Sequence, residues 1–474
     1  MEKERLLEIL YSWNPWWNLG KSHAREWAVP KFHRDLFQKL SSINKDRKIE
    51  VVIGPRQTGK STLFKQILSN LIEKGIPPSS IFYLQLDELS DSLKDGVITL
   101  REILELYSEQ VARVSISEKL KYVFLDEAHL FDGWAKALKA LVDQGLPIKF
   151  YVSGSASSSI MKNASQSLAG RMRVNHLLPF SFSEMVRAEL KGDELEKINV
   201  IQKKLQESVV HFLRKGNKSA FAKAMEELRL ESAPFASFLR AQLSRFLQLG
   251  GYPEPVIKKM NDSETYALLK SFLTLMIQKD FVEFFNVRDT RTLERLIKVI
   301  AQHTGQILVE RNLCRDLGIS INTLRNHIGF LLDTRIVSTT RAYTSSFARA
   351  SRLPEKFFFL DPGLRNSLCG YLPESLGPLV ETAVFTNLKQ FLEIHLPGIE
   401  LNYWRHKDKE VDIVISLEDR LLPIEVHKGK DKEIGGMVSF MEEFSVSHGL
   451  LISEKPSAHP SIVSCPPSLF LLIG

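Results

Sequence analysis

From residue 49 to about residue 180, short apolar runs alternate with amphipathic stretches. The segments "IEVVIG", "IFYLQLD", "YVFLDEA" and "IKFYVSG" are almost continuous in β-branched, aliphatic and aromatic residues and end near Gly, Asp or Ser. Such runs predict strands buried on both faces. Between them lie helical stretches such as "KSTLFKQILSNLIEKG", closed by Gly75 where a C-cap belongs. The alternation predicts an α/β fold with a parallel sheet covered by helices on both sides.

Beyond it, residues 187 to 300 read as mostly helical, with charged amphipathic segments such as "DELEKINVIQKKLQESVVHFLRKG". "LGGYPEPV" at 249–256 interrupts them and reads as a turn between helical blocks. Residues 301 to 345 form a run of short helices, and strands return from about 357.

A chain of 474 residues exceeds what one core supports, so two or three domains are expected. With 44% hydrophobic and 25% charged residues, it has the balance of a soluble globular protein. A net charge of +7 and a pI near 9.0 make a polyanionic partner plausible. Cys314, Cys369 and Cys465 are too scattered for a disulfide framework or a zinc site, which points to a reducing, cytoplasmic setting. No signal-peptide run and no stretch of roughly 20 apolar residues is found, so no membrane span is expected. Trp13, Trp16 and Trp17 form either a partner-docking patch or, the favoured reading, a cap on the neighbouring core.

The main chemical signal is "GPRQTGKS", directly after the first strand and directly before a helix. In this G-x-x-x-x-G-K-S pattern Gly54, Pro55, Arg56, Gln57, Thr58 and Gly59 are expected to form the nucleotide-binding loop, its glycines letting backbone N–H groups close around the phosphates. Lys60 reaches the β- and γ-phosphates, and Ser61, followed by Thr62, offers a hydroxyl to Mg²⁺. A glycine-bearing strand-to-helix turn is the plain alternative. "YVFLDEAH" then places Asp126 and Glu127 at a strand's C-terminal end, where ligands bind in open α/β sheets. Asp126 is expected to hold Mg²⁺ through water and Glu127 to orient the attacking water. Ser153 and Ser155 in "IKFYVSGSAS" are expected near the γ-phosphate or that water. Arg171 and Arg173 in "SLAGRMRV" are candidates for positive charge delivered by a neighbouring subunit, or else plain surface charges.

Together "GPRQTGKS", "FLDEAH", "YVSGSAS", "LAGRM", "LLPFSFSEM", "GGYPEPV", "YWRHKDKEVDIVI" and "PIEVHKG" resemble the successive motifs of prokaryotic AAA+ family ATPases that carry a C-terminal domain of formerly unknown function. The likeness covers most of residues 30 to 430. It implies ATP as the nucleotide and a P-loop AAA+ parallel sheet with a helical lid, followed by a winged helix and a C-terminal α/β nuclease-like domain. It also implies a homo-oligomer, a hexamer or other ring. The expected divisions are an N-terminal extension at 1–30, the ATPase core at 31–186, a helical lid and linker at 187–295, the winged helix at 296–356 and the nuclease-like domain at 357–474.

"ILVERNLCRDLGISINTLRNHIGFLLDTRIVSTT" reads as two helices joined at Gly318, with Ser320 as N-cap, the helix-turn-helix signature. Ile321, Leu324, Ile328 and Leu331 are expected to face the core, leaving Asn322, Thr323, Arg325 and Asn326 to meet DNA. Residues 301–360 hold eight Lys and Arg against four Asp and Glu, which favours DNA over the alternative of a packing lid.

In the C-terminal part, Glu381 on a helix and Asp412 and Glu425 on adjacent strands form a possible second Mg²⁺ site. Yet His427 stands where the nuclease fold would carry lysine, and Lys428 points to the other face of its strand. A fold kept for binding or assembly is therefore favoured over cleavage. The plain alternative is an ion-pair cluster with Arg405, Lys407 and Lys409. The leading expectation is an ATP-hydrolysing protein acting on DNA in repair, recombination or defence. A nucleotide-gated switch or scaffold for a protein partner and an ATP-controlled nuclease are the alternatives.

Overall fold

The computed structural model describes residues 3–19, 29–42, 48–87, 89, 99–113, 117–131, 133–154, 168–284, 287–418, 420–427 and 434–474. They fall into two compact units, residues 1–178 and 179–474. Among the described residues no helix is long and apolar enough to cross a membrane.

The first unit is built on five strands: β1 (Ile49–Ile53), β2 (Ile81–Gln85), β3 (Lys121–Asp126), β4 (Ile148–Gly154) and β5 (Met172–His176). They form a sheet of order β2-β3-β4-β1-β5 in which every pairing is parallel. Alternate residues serve two cores. Val52, Phe124 and Tyr151 meet the helix Lys60–Glu73 on one face, while Val51, Ile53, Val123 and Val152 pack on the other. Both faces being covered, the strands show no polar alternation. The helix contributes Leu63, Phe64, Ile67, Leu68 and Leu71, all buried. Each such side chain stabilises the fold by roughly 1.5–3 kcal/mol.

An edge strand exposes backbone groups that must be paired or covered. On edge strand β2, the Asn14 side chain takes that role: the Tyr83 N–H donates to Asn14 Oδ1 at 2.7 Å, and Asn14 Nδ2 donates to the Tyr83 carbonyl at 2.9 Å. Trp16 and Trp17 both donate their indole N–H to the Ile81 carbonyl, and Trp17 stacks on Phe82. The tryptophans thus cap the core, and Trp16 is fully buried.

In the second unit, the glycine-proline stretch is more than a turn. The Phe180 N–H donates to the Gly251 carbonyl at 2.7 Å, and a Cβ on Gly251 would lie 2.1 Å from the Phe180 carbonyl oxygen. The Gly251 N–H in turn donates to Asp361 Oδ2 at 2.7 Å, while Asp361 Oδ1 caps the helix Pro362–Cys369 through the Leu364 N–H. The "PFSFSE" and "GGYP" signatures therefore meet in one buried junction, where they serve architecture.

Burial pushes the Asp361 carboxyl up to about 6, against the lowering effect of its backbone N–H partners. Its folded value lies above the ordinary 3.8, so the folded state retains a proton that the unfolded chain releases. That contribution is full below about pH 4 and is lost as pH rises through about 6, at most about 3 kcal/mol. Urea midpoints should accordingly fall between pH 4 and 7 in the natural protein. Asp361→Asn should remove that component of the slope from a lower baseline; an unchanged slope would contradict the assignment.

The helix-turn-helix consists of the helices Glu310–Leu317 and Ile321–Asp333, joined through Gly318 in the left-handed region and capped by Ser320. Around it run β6 (Gln306–Leu308), β7 (Val337–Ala342) and β8 (Glu355–Phe359), with β8 antiparallel to both others. The C-terminal lobe follows in the order helix Leu376–His395, β9 (Leu401–His406), β10 (Lys409–Leu417), β11 (Arg420–Val426), helix Gly435–Glu443, β12 (Gly449–Ile452) and β13 (Ile462–Cys465). A parallel pairing of β7 with β9 joins everything into one eight-stranded sheet, β13-β12-β11-β10-β9-β7-β8-β6. The expected division at 356/357 falls inside β8 of this sheet.

Candidate functional site

The phosphate loop leaves β1 at Gly54, where no side chain fits: a Cβ would lie 2.0 Å from the Leu177 carbonyl oxygen. Gln57 and Gly59 both take positive φ, 64° and 92°, which curls the loop into the helix starting at Lys60. Successive N–H groups in such a turn make an anion-binding concavity at a helix N-terminus. Lys60 Nζ arches back over the loop, 3.1 Å from the Gly54 carbonyl and 3.0 Å from that of Pro55. Thr58 Oγ1 donates to the Pro55 carbonyl at 2.9 Å. Buried Arg34 clamps the loop from outside, donating to the carbonyls of Thr58 at 3.2 Å and Leu178 at 2.7 Å. Its distance in sequence from the motif hid this role.

Strand register carries the acidic pair to the same sheet edge. Ile53, the last residue before the loop, pairs with Gly154, and Leu125 pairs with Val152. Asp126 is buried, with Oδ2 accepting from the Tyr83 hydroxyl at 2.6 Å and Oδ1 accepting from the Ser153 hydroxyl. Burial and the Asp126 charge push the Tyr83 hydroxyl far above its ordinary pKa, so it stays a donor. Ser153 also accepts from the Glu127 N–H at 3.0 Å. It is fully buried and braces both acids, where contact with phosphate or water was expected. Glu127 itself takes a left-handed backbone, φ 55°, a strained conformation typical of functional positions. Ser155 lies outside the described residues.

The two arginines are elsewhere in their own chain. Arg171 Nη2 pairs with Asp143 at 2.9 Å, and Arg173 Nε pairs with buried Glu50 at 3.1 Å. Arg173 is in register with Glu50, four residues before Gly54. At about 3.3 Å per residue this places them at the far end of β1 from the loop. Glu50 also holds Lys149 at 3.0 Å and Asn175 at 3.1 Å, so Arg173 belongs to a structural cluster. Arg171 keeps 40% of its side chain exposed.

On the second helix of the helix-turn-helix, Leu324, His327, Ile328 and Leu331 are buried, whereas Ile321, expected in the core, is exposed. Asn322 and Asn326 are exposed. Arg325 is exposed as well but forms a two-pronged pair with Glu310, at 2.8–3.1 Å. The Thr323 N–H donates to the Ser320 hydroxyl as part of the cap.

In the C-terminal lobe the expected second Mg²⁺ set is arranged differently. Lys356, from β8, inserts its ammonium 2.6 Å from Glu381 and 3.8 Å from Asp412. Glu425 faces His427, with Oε1 3.6 Å from Nε2. Among the described residues no three His, Cys, Asp or Glu side chains are grouped to hold a metal ion. The same-strand cations of the ion-pair alternative contribute little, since only Arg405 approaches, 3.9 Å from Glu410, and Lys409 donates to Ser439. Lys428 lies outside the described residues.

The phosphate loop, the acidic pair and the all-parallel sheet define the first unit as a P-loop nucleotide-binding fold of the AAA class, one suited to nucleotide-dependent ATPase activity. Residues 46–186 match the AAA domain family, residues 240–375 a domain of unknown function, DUF8612, and residues 376–463 another, DUF4143. The chain thus joins an AAA domain to a C-terminal DUF4143 domain. A Haemophilus influenzae protein described as uncharacterized is 22% identical over 80% of this chain and 82% of its own length. One from Methanocaldococcus jannaschii, described likewise, is 24% identical over 82% and 78%. Among solved structures, the Aeropyrum pernix ORC1 protein in complex with DNA shares 12% identity over 76% of this chain and 97% of its own, with a TM-score of 0.29. The Thermotoga maritima RuvB Holliday junction branch migration motor shares 13% over 65% and 90%, with a TM-score of 0.27.

Proposed function

We propose that the protein is a Mg²⁺-dependent ATPase that acts on DNA as a homo-oligomer. The observation that carries the reading is the Asp126 carboxylate, buried and fixed by Tyr83 and Ser153 at the sheet edge where the phosphate loop begins. A loop of backbone N–H groups, a lysine and a fixed carboxylate suit a nucleotide with its magnesium ion. Bound ATP with Mg²⁺ supplies the transferable phosphoryl group. Lys60 would neutralise the β- and γ-phosphates, Ser61 and, through water, Asp126 would hold the ion, and Glu127 would orient the attacking water. Ser153 positions both acids. Arg171, exposed and remote from its own loop, serves the site of a neighbouring subunit, which makes a ring or other closed oligomer the working form.

For DNA, the support is the helix-turn-helix with Asn322 and Asn326 exposed on its second helix. We read its surrounding strands as the wing. Steady-state ATP hydrolysis with single-stranded, duplex and branched DNA tests the coupling, and a rate and affinity indifferent to every form would sink it. The Asn322→Ala/Asn326→Ala double variant should weaken duplex binding about tenfold or more, at about 1–3 kcal/mol per specific side-chain contact. Glu310→Gln, which releases Arg325, should strengthen it; fluorescence anisotropy with labelled duplex reads both.

A further inference from the structure

A nuclease-like lobe implies a divalent metal held by Glu381, Asp412 and Glu425, and the residues present do not fit one. Lys356 Nζ lies 2.6 Å from Glu381 Oε1, 2.8 Å from Glu410 Oε1 and 3.8 Å from Asp412 Oδ1, with only 2% of the lysine side chain exposed. An ammonium has three donors and no acceptor, so it draws on the carboxylate oxygens that a hard divalent ion would need. Two cations on one buried acidic set repel strongly where water is excluded. Two of the other oxygens are engaged by the protein itself. Asp412 Oδ2 accepts the Val426 N–H at 2.9 Å, and Glu425 turns to His427.

We propose that Lys356 is the resident cation of this lobe, standing in the place of a divalent metal and closing the fold to metal-dependent cleavage. Burial holds the Glu381 carboxyl above the ordinary range, against the pull of Lys356. Burial also works against the charge on Lys356, but Glu381, Asp412 and Glu410 together outweigh it and keep the lysine protonated. Asp412 is matched by Lys356, and Glu410 faces Arg405 from the outer side, 3.9 Å away. The lysine missing two places after Glu425 is therefore replaced in charge by one from a strand of the wing, whose partners are acids.

Titration of nucleotide-free, full-length protein with Mn²⁺, reading free ion by its paramagnetic resonance signal, tests this apart from the ATPase reading. The natural protein, Glu381→Gln and Asp412→Asn should bind equal numbers of Mn²⁺. Lys356→Ala should take up one more ion per chain and lose it again in Lys356→Ala/Asp412→Asn. A stoichiometry that drops in either acid variant relative to the natural protein overturns the proposal, as does a folded Lys356→Ala that gains no ion. If Lys356→Ala does not fold, the acid variants decide, alongside incubation of supercoiled plasmid with Mn²⁺. Strand scission by the natural protein that Asp412→Asn abolishes would likewise overturn it.

Discussion

Lys60→Ala should lower ATP turnover by at least about 10²-fold while leaving the fold intact, since removing one preorganised charge from a transition state costs about 2.7–4 kcal/mol. In the structure Lys60 Nζ contacts the carbonyls of Gly54 and Pro55, so truncation removes the cation without opening the loop's backbone turn. Glu127→Gln should lose turnover comparably but retain nucleotide, because it acts on the water. Arg173→Ala should affect stability more than turnover, its partner being the buried Glu50. Arg171→Ala should be slow alone, yet regain activity when mixed with Lys60→Ala subunits, whose intact Arg171 completes the neighbouring site. A phosphate-release assay on the mixture checks this; no recovery in a confirmed mixed oligomer would remove Arg171 from the mechanism.

Lys356→Met should destabilise the second unit by about 3–5 kcal/mol, the cost of breaking a buried pair by deleting one partner. Glu381, Glu410 and Asp412 would be left crowded together with their cation gone. Chemical denaturation should show the loss at pH 8 and a smaller loss at pH 5, where Glu381, whose carboxyl burial pushes up to about 8, is protonated. Equal losses at both values would mean that the lysine acts through packing alone.

Much of this architecture was legible because its signals are local. The phosphate loop, the acidic strand end and the buried parallel strands each lie within a few residues of sequence, where spacing and periodicity carry them. In the C-terminal lobe the helix of Glu381 and the adjacent strands of Asp412 and Glu425 were legible for the same reason. Tertiary position was not. Tyr83 and Arg34 act on the site from separate segments, and no spacing connects them to Asp126 or Thr58. Arg171 and Arg173, read as charges for a neighbouring subunit or as plain surface charges, could not be located from sequence; strand register sets them at the end of β1 opposite the loop. Ile321 fits the helical stripe but sits in the first turn, where the core has ended. Lys356 was hidden most completely, since its acids follow it by 25 to 56 residues on a helix and a different strand.

The pairing of β7 with β9 leaves no elbow between the helix-turn-helix and the C-terminal lobe. Hydrogen-bonded strands do not swivel independently, so a tilt of β7, which follows the second helix of the helix-turn-helix, tilts the strands of the lobe with it. A partner that touches both surfaces is therefore gauged at one fixed span, as by calipers whose jaws have been welded.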